Sequence, residues 1–233
     1  MNRRSLLTAL GGTALSLVVP GSALGRTGSA PVRMVFAGSS AVGKTTLLIA
    51  YTSNVFPGEY VPSVFDNYQA NVRRADGIQE MQLRDTPGSS EYARLRPLSY
   101  AGSDVAGLCF AVNSRRSFED VSTVWVPEIR ATLPDAPIVL IGLKTDLRTN
   151  TYAALSDPVS TAEGEALASA IGATAYRENS ALTADGVPGT FETMLDAALE
   201  ARTVPGRRSP MVGGMRPIRP EPRTLPPRPR GGN

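Results

Sequence analysis

Hydrophobic positions along the chain fall into short unbroken runs separated by longer stretches of mixed periodicity. Val32–Ala37 is an apolar run that ends in glycine, Val105–Val112 is a second and Pro137–Gly142 a third. Runs of that length read as strands buried on both faces of a parallel sheet. Gln69–Arg74 and Gln79–Arg84 flank Asp76-Gly77, a hairpin signal, and read as an antiparallel pair. Ala173–Glu178 reads as a short strand. Helical spacing occupies Lys44–Tyr51, Ser117–Leu133, Ser160–Ile171 and Phe191–Ala201. Ser117 reads as the cap of the second helix, with Asp120 three residues on. Ser160 caps the third, and Glu163 completes a capping box. Strands alternating with helices predict an α/β fold: a mostly parallel six-stranded sheet with one antiparallel edge strand and helices on both faces.

Charge separates this body from the chain ends. Residues 1–30 carry three Arg and no acid, and residues 203–233 carry seven Arg and one Glu. Between them, 31–202 hold 14 basic and 20 acidic residues, so the pI of about 9.2 comes from the ends. An acidic body is not the footprint of a nucleic-acid-binding domain. With 42% hydrophobic and 19% charged residues, the 233-residue chain has enough apolar content for one core. A single cysteine and no histidine exclude a disulfide framework, a Cys/His zinc site and a histidine-based triad. Cys109 itself falls in a buried strand and reads as core. Arg73-Arg74 and Arg115-Arg116 read as solvated element ends.

The two ends read as separate segments. Asn2-Arg3-Arg4-Ser5-Leu6-Leu7 opens on twin arginines; a mildly apolar run to Val19 follows, then Pro20 and small residues through Gly25. That is the order of a secretory signal, and the twin arginine resembles the leader of a twin-arginine export route. Residues 1–30 are therefore expected to be a signal peptide and linker, and the protein to be exported. The alternative is a cytoplasmic protein with an extension. From about Thr203 the chain is rich in Pro, Arg and Gly and is expected to stay disordered. Arg223–Pro229 matches the spacing of a polyproline ligand for an SH3-type partner, though any Pro/Arg-rich tail generates such matches. No cysteine lies near the end, so no prenyl anchor is expected.

Candidate chemistry lies where lysine survives. The chain has 22 Arg and only two Lys, Lys44 and Lys144. Lys44 belongs to Gly38-Ser39-Ser40-Ala41-Val42-Gly43-Lys44-Thr45, which fits G-x-x-x-x-G-K-[ST] between a predicted strand and helix. Glycines let backbone N–H groups wrap phosphates closely. In such a loop Ser40 to Thr46 line the phosphates, Lys44 reaches the β- and γ-phosphates, and the Thr45 hydroxyl ligates Mg²⁺.

Two further segments carry a resemblance. Phe56-Pro57-Gly58-Glu59-Tyr60-Val61-Pro62-Ser63-Val64-Phe65-Asp66-Asn67-Tyr68 resembles the first switch of Rho-family small GTPases, and Leu95-Arg96-Pro97-Leu98-Ser99-Tyr100 the stretch after their second switch. Trp125-Val126-Pro127-Glu128-Ile129 also follows the Rho pattern. The resemblance runs from about Val32 to Ala201 and implies a bacterial Rho-like P-loop switch. Such a protein binds GTP and GDP with Mg²⁺ and meets effectors, exchange factors and activating proteins. It implies that Lys144 and Asp146 read guanine, Asp146 accepting from N1 and N2. Ser180, Ala181 and Leu182 would back the base, and Phe56 would cover it. Ser63 would join Thr45 at the ion, with Asp85 just outside its direct ligands. Val61, Val64, Phe65, Asp66, Asn67 and Tyr68 would form the effector surface.

The departures from the family fall mostly on hydrolysis. Ser89 follows Gly88 where the family places the glutamine that orients water, and it is too short for that task. Ser40 stands where glycine admits an activating protein's arginine. Pro87 stiffens the second switch. Leu143 replaces the polar residue before Lys144, and only nine residues, Thr149 to Asp157, stand where the Rho insert would be. Slow hydrolysis is expected, with Lys44, Gly88 and Ser89 at the reacting phosphate. The alternative is a GTP-locked mimic that displays its effector surface. An ATP-using kinase is disfavoured by Asp146.

Overall fold

The computed structural model describes residues 30–58, 65–75, 77–148 and 157–203. Six strands form one sheet in the order β2-β3-β1-β4-β5-β6. They are β1 (Val32–Ala37), β2 (Asn67–Arg74), β3 (Gly77–Asp85), β4 (Val105–Ala111), β5 (Ile138–Leu143) and β6 (Ala175–Asn179). All neighbours are parallel except β2 and β3, which pair antiparallel with Asn67 opposite Arg84 and Arg74 opposite Gly77. The expected sheet, with its antiparallel edge, is the one observed.

Period-2 alternation along the strands builds a core on each face. Met34, Phe36, Cys109 and Ile141 pack with α1 (Lys44–Ser53) and the last helix, Val187–Thr203. There Tyr51 stacks on Phe191 with ring centroids 3.6 Å apart. Val35, Ala37, Leu108 and Phe110 pack on the other face against Trp125, Ile129 and Ala168. β4 and β5 are buried along their whole length, which is why they read as unbroken apolar runs.

Several boundaries differ from the expectation. The helix expected over 117–133 is three pieces: α3 (Arg115–Asp120), a π-helical turn over Val121–Trp125, and α4 (Val126–Thr132). Its cap is Ser114, not Ser117. Ser114 has extended backbone, and its hydroxyl accepts from the Ser117 N–H at 3.3 Å. The buried Ser117 hydroxyl instead donates to the Ser114 carbonyl at 2.8 Å and accepts from the Ala111 N–H. A short α2 (Arg96–Tyr100) was not legible in the pattern. The helix at Thr161–Ala170, α5, has the expected capping box, Ser160 with Glu163. The last helix, α6 (Val187–Thr203), begins four residues earlier than Phe191. The shortened 149–157 connection, the leader and the Pro/Arg-rich tail lie largely or wholly outside the described residues.

Candidate functional site

The loops after β1, β3, β5 and β6 converge at the carboxyl ends of the strands, where the sheet order reverses around β1 and α/β sheets form their binding crevice. The first of these, 38–43, turns through three residues of positive φ, Gly38 at 149°, Ala41 at 60° and Gly43 at 111°. Gly43 is the residue before α1, and no side chain caps the helix there. The first N–H groups of α1 therefore face the loop's concave side, where an anion is favoured. Lys44 is buried, and its Nζ donates to the carbonyls of Gly38 at 2.7 Å and Ser39 at 3.1 Å. Burial pulls the Lys44 pKa down, while the Asp85 carboxylate acts against that shift.

β3 delivers the next group. The Thr45 hydroxyl donates to Asp85 Oδ2 at 2.6 Å, and Asp85 is buried at the strand's end. A hydroxyl and a carboxylate oxygen side by side are the hard donors that a Mg²⁺ site uses. The residues present fit such an ion, with phosphate oxygens supplying further ligands. Thr86 is pinned by its hydroxyl to the Phe36 carbonyl at 2.7 Å. Gly88 lies flat on the loop, where a Cβ would fall 2.3 Å from the Ser40 nitrogen, so no larger residue fits without moving the backbone.

The loops after β5 and β6 build the opposite end. A cavity of about 410 Å³ lies between them, lined by Gly43, Phe56, Leu143, Lys144, Asp146 and Ala181 among others. The Ser180 hydroxyl donates to Asp146 Oδ1 at 2.5 Å and accepts from the Thr183 N–H at 3.2 Å. That fixes one carboxylate oxygen of Asp146. Lys144 reaches back to the phosphate loop, its Nζ donating to the Ala41 carbonyl at 2.7 Å. Its stem passes over Gly43, where a Cβ would meet Lys144 Cε at 3.5 Å. The polar tie that Leu143 does not make is thus partly replaced by its neighbour. Phe56 and Leu182 stand exposed at the cavity rim.

Of the residues expected at an effector surface, Phe65, Asp66, Asn67 and Tyr68 are described; Val61, Val64 and Ser63, which was expected at the ion, lie outside the described residues. Phe65 meets Tyr92 edge to face, with centroids 5.7 Å apart. The Asp85 N–H donates to the Asp66 carbonyl at 2.8 Å, and Asn67 and Tyr68 begin β2. Ser40 and Ser89 stand near each other across Gly88, neither of them buried.

The structure adds groups that sequence reasoning did not single out. Arg96, 2% exposed, forms a two-pronged ion pair with Glu128 at 2.7 and 2.6 Å. Ser39, inside the loop, donates to Asp120 and accepts from Trp125 Nε1. Asn179, 1% exposed, donates to the Thr190 hydroxyl, while its Oδ1 finds no hydrogen-bond partner among the described residues. Arg96, Trp125 and Glu128 lie in the segments that resemble the Rho pattern, which was the available signal for them.

A mostly parallel sheet of this order, with a glycine-rich loop opening the first helix, is the Ras-like P-loop NTPase fold. The chain belongs to the Ras family, whose model matches residues 33–200. It is a small GTP-binding molecular switch of the class that hydrolyses GTP.

Proposed function

We propose that the protein is a Rho-like switch that binds GTP and GDP with Mg²⁺ and hydrolyses GTP slowly. The observation that carries this reading is the convergence on one crevice of Lys44, the Thr45–Asp85 pair and the Ser180-held Asp146. The free oxygen of Asp146 faces a purine edge bearing two N–H donors, which guanine has and adenine lacks. Ala181 supplies a backbone N–H for the guanine O6, and the Lys144 stem lies along the base. Backbone N–H groups from Ser40 to Thr46 and the Lys44 ammonium hold the phosphates.

In hydrolysis a water oxygen forms a bond to the γ-phosphorus as the bond to the β-bridging oxygen breaks, giving GDP and phosphate. Lys44 draws off charge that builds on the leaving oxygens. Mg²⁺, held by Thr45 and Ser63 with Asp85 beside it, would supply further charge neutralisation at the β- and γ-phosphates. Gly88 brings its N–H to the γ-phosphate. Ser89 is too short to hold the water as an amide would, and Ser40 narrows the approach of a partner's arginine. These departures also support the second reading, a GTP-locked module acting through Phe65–Tyr68. Single-turnover hydrolysis by the purified chain decides between them. A slow rate raised by Ser89→Gln supports the switch; no turnover in either protein supports the module. Equal affinity for ATP and GTP overturns both.

The twin-arginine leader supports export of the folded, nucleotide-bound domain, and the basic tail supports weak attraction to anionic membranes. The Arg223–Pro229 spacing supports at most an SH3-type contact. N-terminal sequencing of fractionated cells tests the export reading: a cytoplasmic protein starting at Met1 overturns it.

A further inference from the structure

Ser39 ties the phosphate loop to the helix layer behind it. Its hydroxyl donates to Asp120 Oδ2 at 2.7 Å and accepts from the Trp125 Nε1–H at 3.1 Å. A hydroxyl has one proton and an indole N–H only donates, so the carboxylate takes the proton and the indole binds a lone pair. The carbonyl of the same residue accepts from Lys44 Nζ at 3.1 Å, beside the Gly38 carbonyl at 2.7 Å. Ser39 therefore holds Asp120 and Trp125 with its side chain and Lys44 with its main chain. Trp125 is buried, and neither it nor Asp120 lines the base cavity.

The π-helical turn between α3 and α4 brings the two partners together. Asp120 and Trp125 are five residues apart, which on a regular α-helix sets them about 140° apart around the axis. Here the Val126 N–H donates to the Val121 carbonyl five residues back, which widens the turn between them. Both side chains then reach one oxygen, while Ser122 to Val124 stay exposed. Packing leaves the Ser39 peptide little room to turn. A Cβ on Gly88 would fall 2.4 Å from the Ser39 carbonyl carbon, and one on Gly38 would fall 2.2 Å from the Cys109 carbonyl oxygen.

We propose that Asp120 and Trp125 are positioning residues for the phosphate site. Acting through the Ser39 hydroxyl, they fix the direction of the Ser39 peptide, and with it the place where Lys44 meets the β-phosphate. The inference rests on the nucleotide-switch reading above and adds to it two groups that lie behind the loop rather than in the crevice. A preorganised donor adds affinity because binding then costs less reordering. The expected signature is selective: a nucleotide with a β-phosphate depends on Asp120, and one without it does not.

Competition against fluorescent GDP in excess Mg²⁺, with the full chain, reads affinity for GDP and for GMP, which lacks the β-phosphate. Asp120→Ala should weaken GDP binding about tenfold, the size of one hydrogen bond's contribution, and leave GMP within about twofold of wild type. Trp125→Phe, which removes the N–H and keeps a ring beside Arg96, should weaken GDP binding about threefold. Asp120→Asn keeps an acceptor for the hydroxyl and should bind GDP within about twofold of wild type. Asp120→Ala combined with Ser39→Ala should lose no more than the larger single loss, since the two act along one path. Equal losses for GDP and GMP, or additive losses in the double variant, overturn the proposal. A wild-type chain that binds neither GDP nor GMP overturns the nucleotide reading itself. One that binds GDP, with unchanged affinity in both Asp120→Ala and Trp125→Phe, overturns the positioning role alone.

Discussion

The two ends of the crevice are built differently. At the phosphate end nearly every group is fixed: Lys44 on two carbonyls, Thr45 on Asp85, Thr86 on Phe36, Arg96 on Ser89 and Glu128. At the base end a cavity of about 410 Å³ is bounded by exposed Phe56 and Leu182 and joined to the phosphate loop by the Lys144–Ala41 hydrogen bond. Phosphate carries charge that rewards preorganised donors, so rigidity there adds affinity. A flat base gains mostly from burial and a few directional bonds, so the base end tolerates an open rim. Leu143 sharpens the contrast. It sits in register with Asn179 across β5 and β6, and it offers that residue's buried Oδ1 no donor.

The largest effect is expected at the fixed end. Lys44→Ala should weaken binding of a GTP analogue by at least about 10²-fold, since each hydrogen bond to a charged group contributes about 1.5–3 kcal/mol. Isothermal titration against Cys109→Ala, a buried core change without a role at phosphate, checks it. Equal affinities would mean that the rigid end does not bind phosphate.

Asp146→Asn acts at the open end. Replacing an acceptor by a donor should lower GDP affinity by about 10²-fold, near the cost of unpairing a buried polar contact in a binding site. Affinity for xanthosine diphosphate should rise in the same variant. Ser180 keeps a carbonyl acceptor in Asn, so the thermal midpoint should move little. Competition binding with the two diphosphates is the measurement.

Leu143→Asn would make the two ends more alike. The new amide lies beside Asn179 Oδ1 and can donate to it, relieving an unsatisfied group that costs about 1–3 kcal/mol. The lost apolar burial offsets much of that. Stability should therefore stay within about 1 kcal/mol of wild type by urea titration, while stopped-flow release of labelled GDP slows about threefold. Faster release would mean that the cavity wall does not carry the looseness of this end.

Acid should loosen the fixed end, with the smallest effect. The Glu128 carboxyl is held below its ordinary value, so its folded pKa lies below its unfolded one, about 4.3. That stabilisation is present above the unfolded value and fades as pH falls through the folded one. Urea titrations at pH 6 and 3.5 should show a smaller acid loss in Glu128→Gln than in wild type. Glu163, drawn down to about 2 by hydrogen bonds from Arg115 and Ser160, gives an NMR reference in the first turn of α5.

What the sequence by itself determined was local. Buried strands announce themselves as apolar runs, the Gly38–Thr45 spacing carries its own backbone requirement, and Ser160 and Glu163 make a capping box within one turn. Lys44 and Lys144 stood out because little else was lysine. Tertiary structure decided whatever depends on distant partners. Arg96 meets Glu128 across 32 residues and Trp125 meets Ser39 across 86, and no periodicity encodes either pairing. The break of the 117–133 helix into a π-helical turn places Trp125 over Arg96. The cap moved from Ser117 to Ser114 because Ser117, packed against β4, spends its hydroxyl on the Ala111 and Ser114 backbone. A side chain's partner is set by what the fold brings within about 3 Å of it, and that is a property of the packed sheet and helices, not of neighbours along the chain.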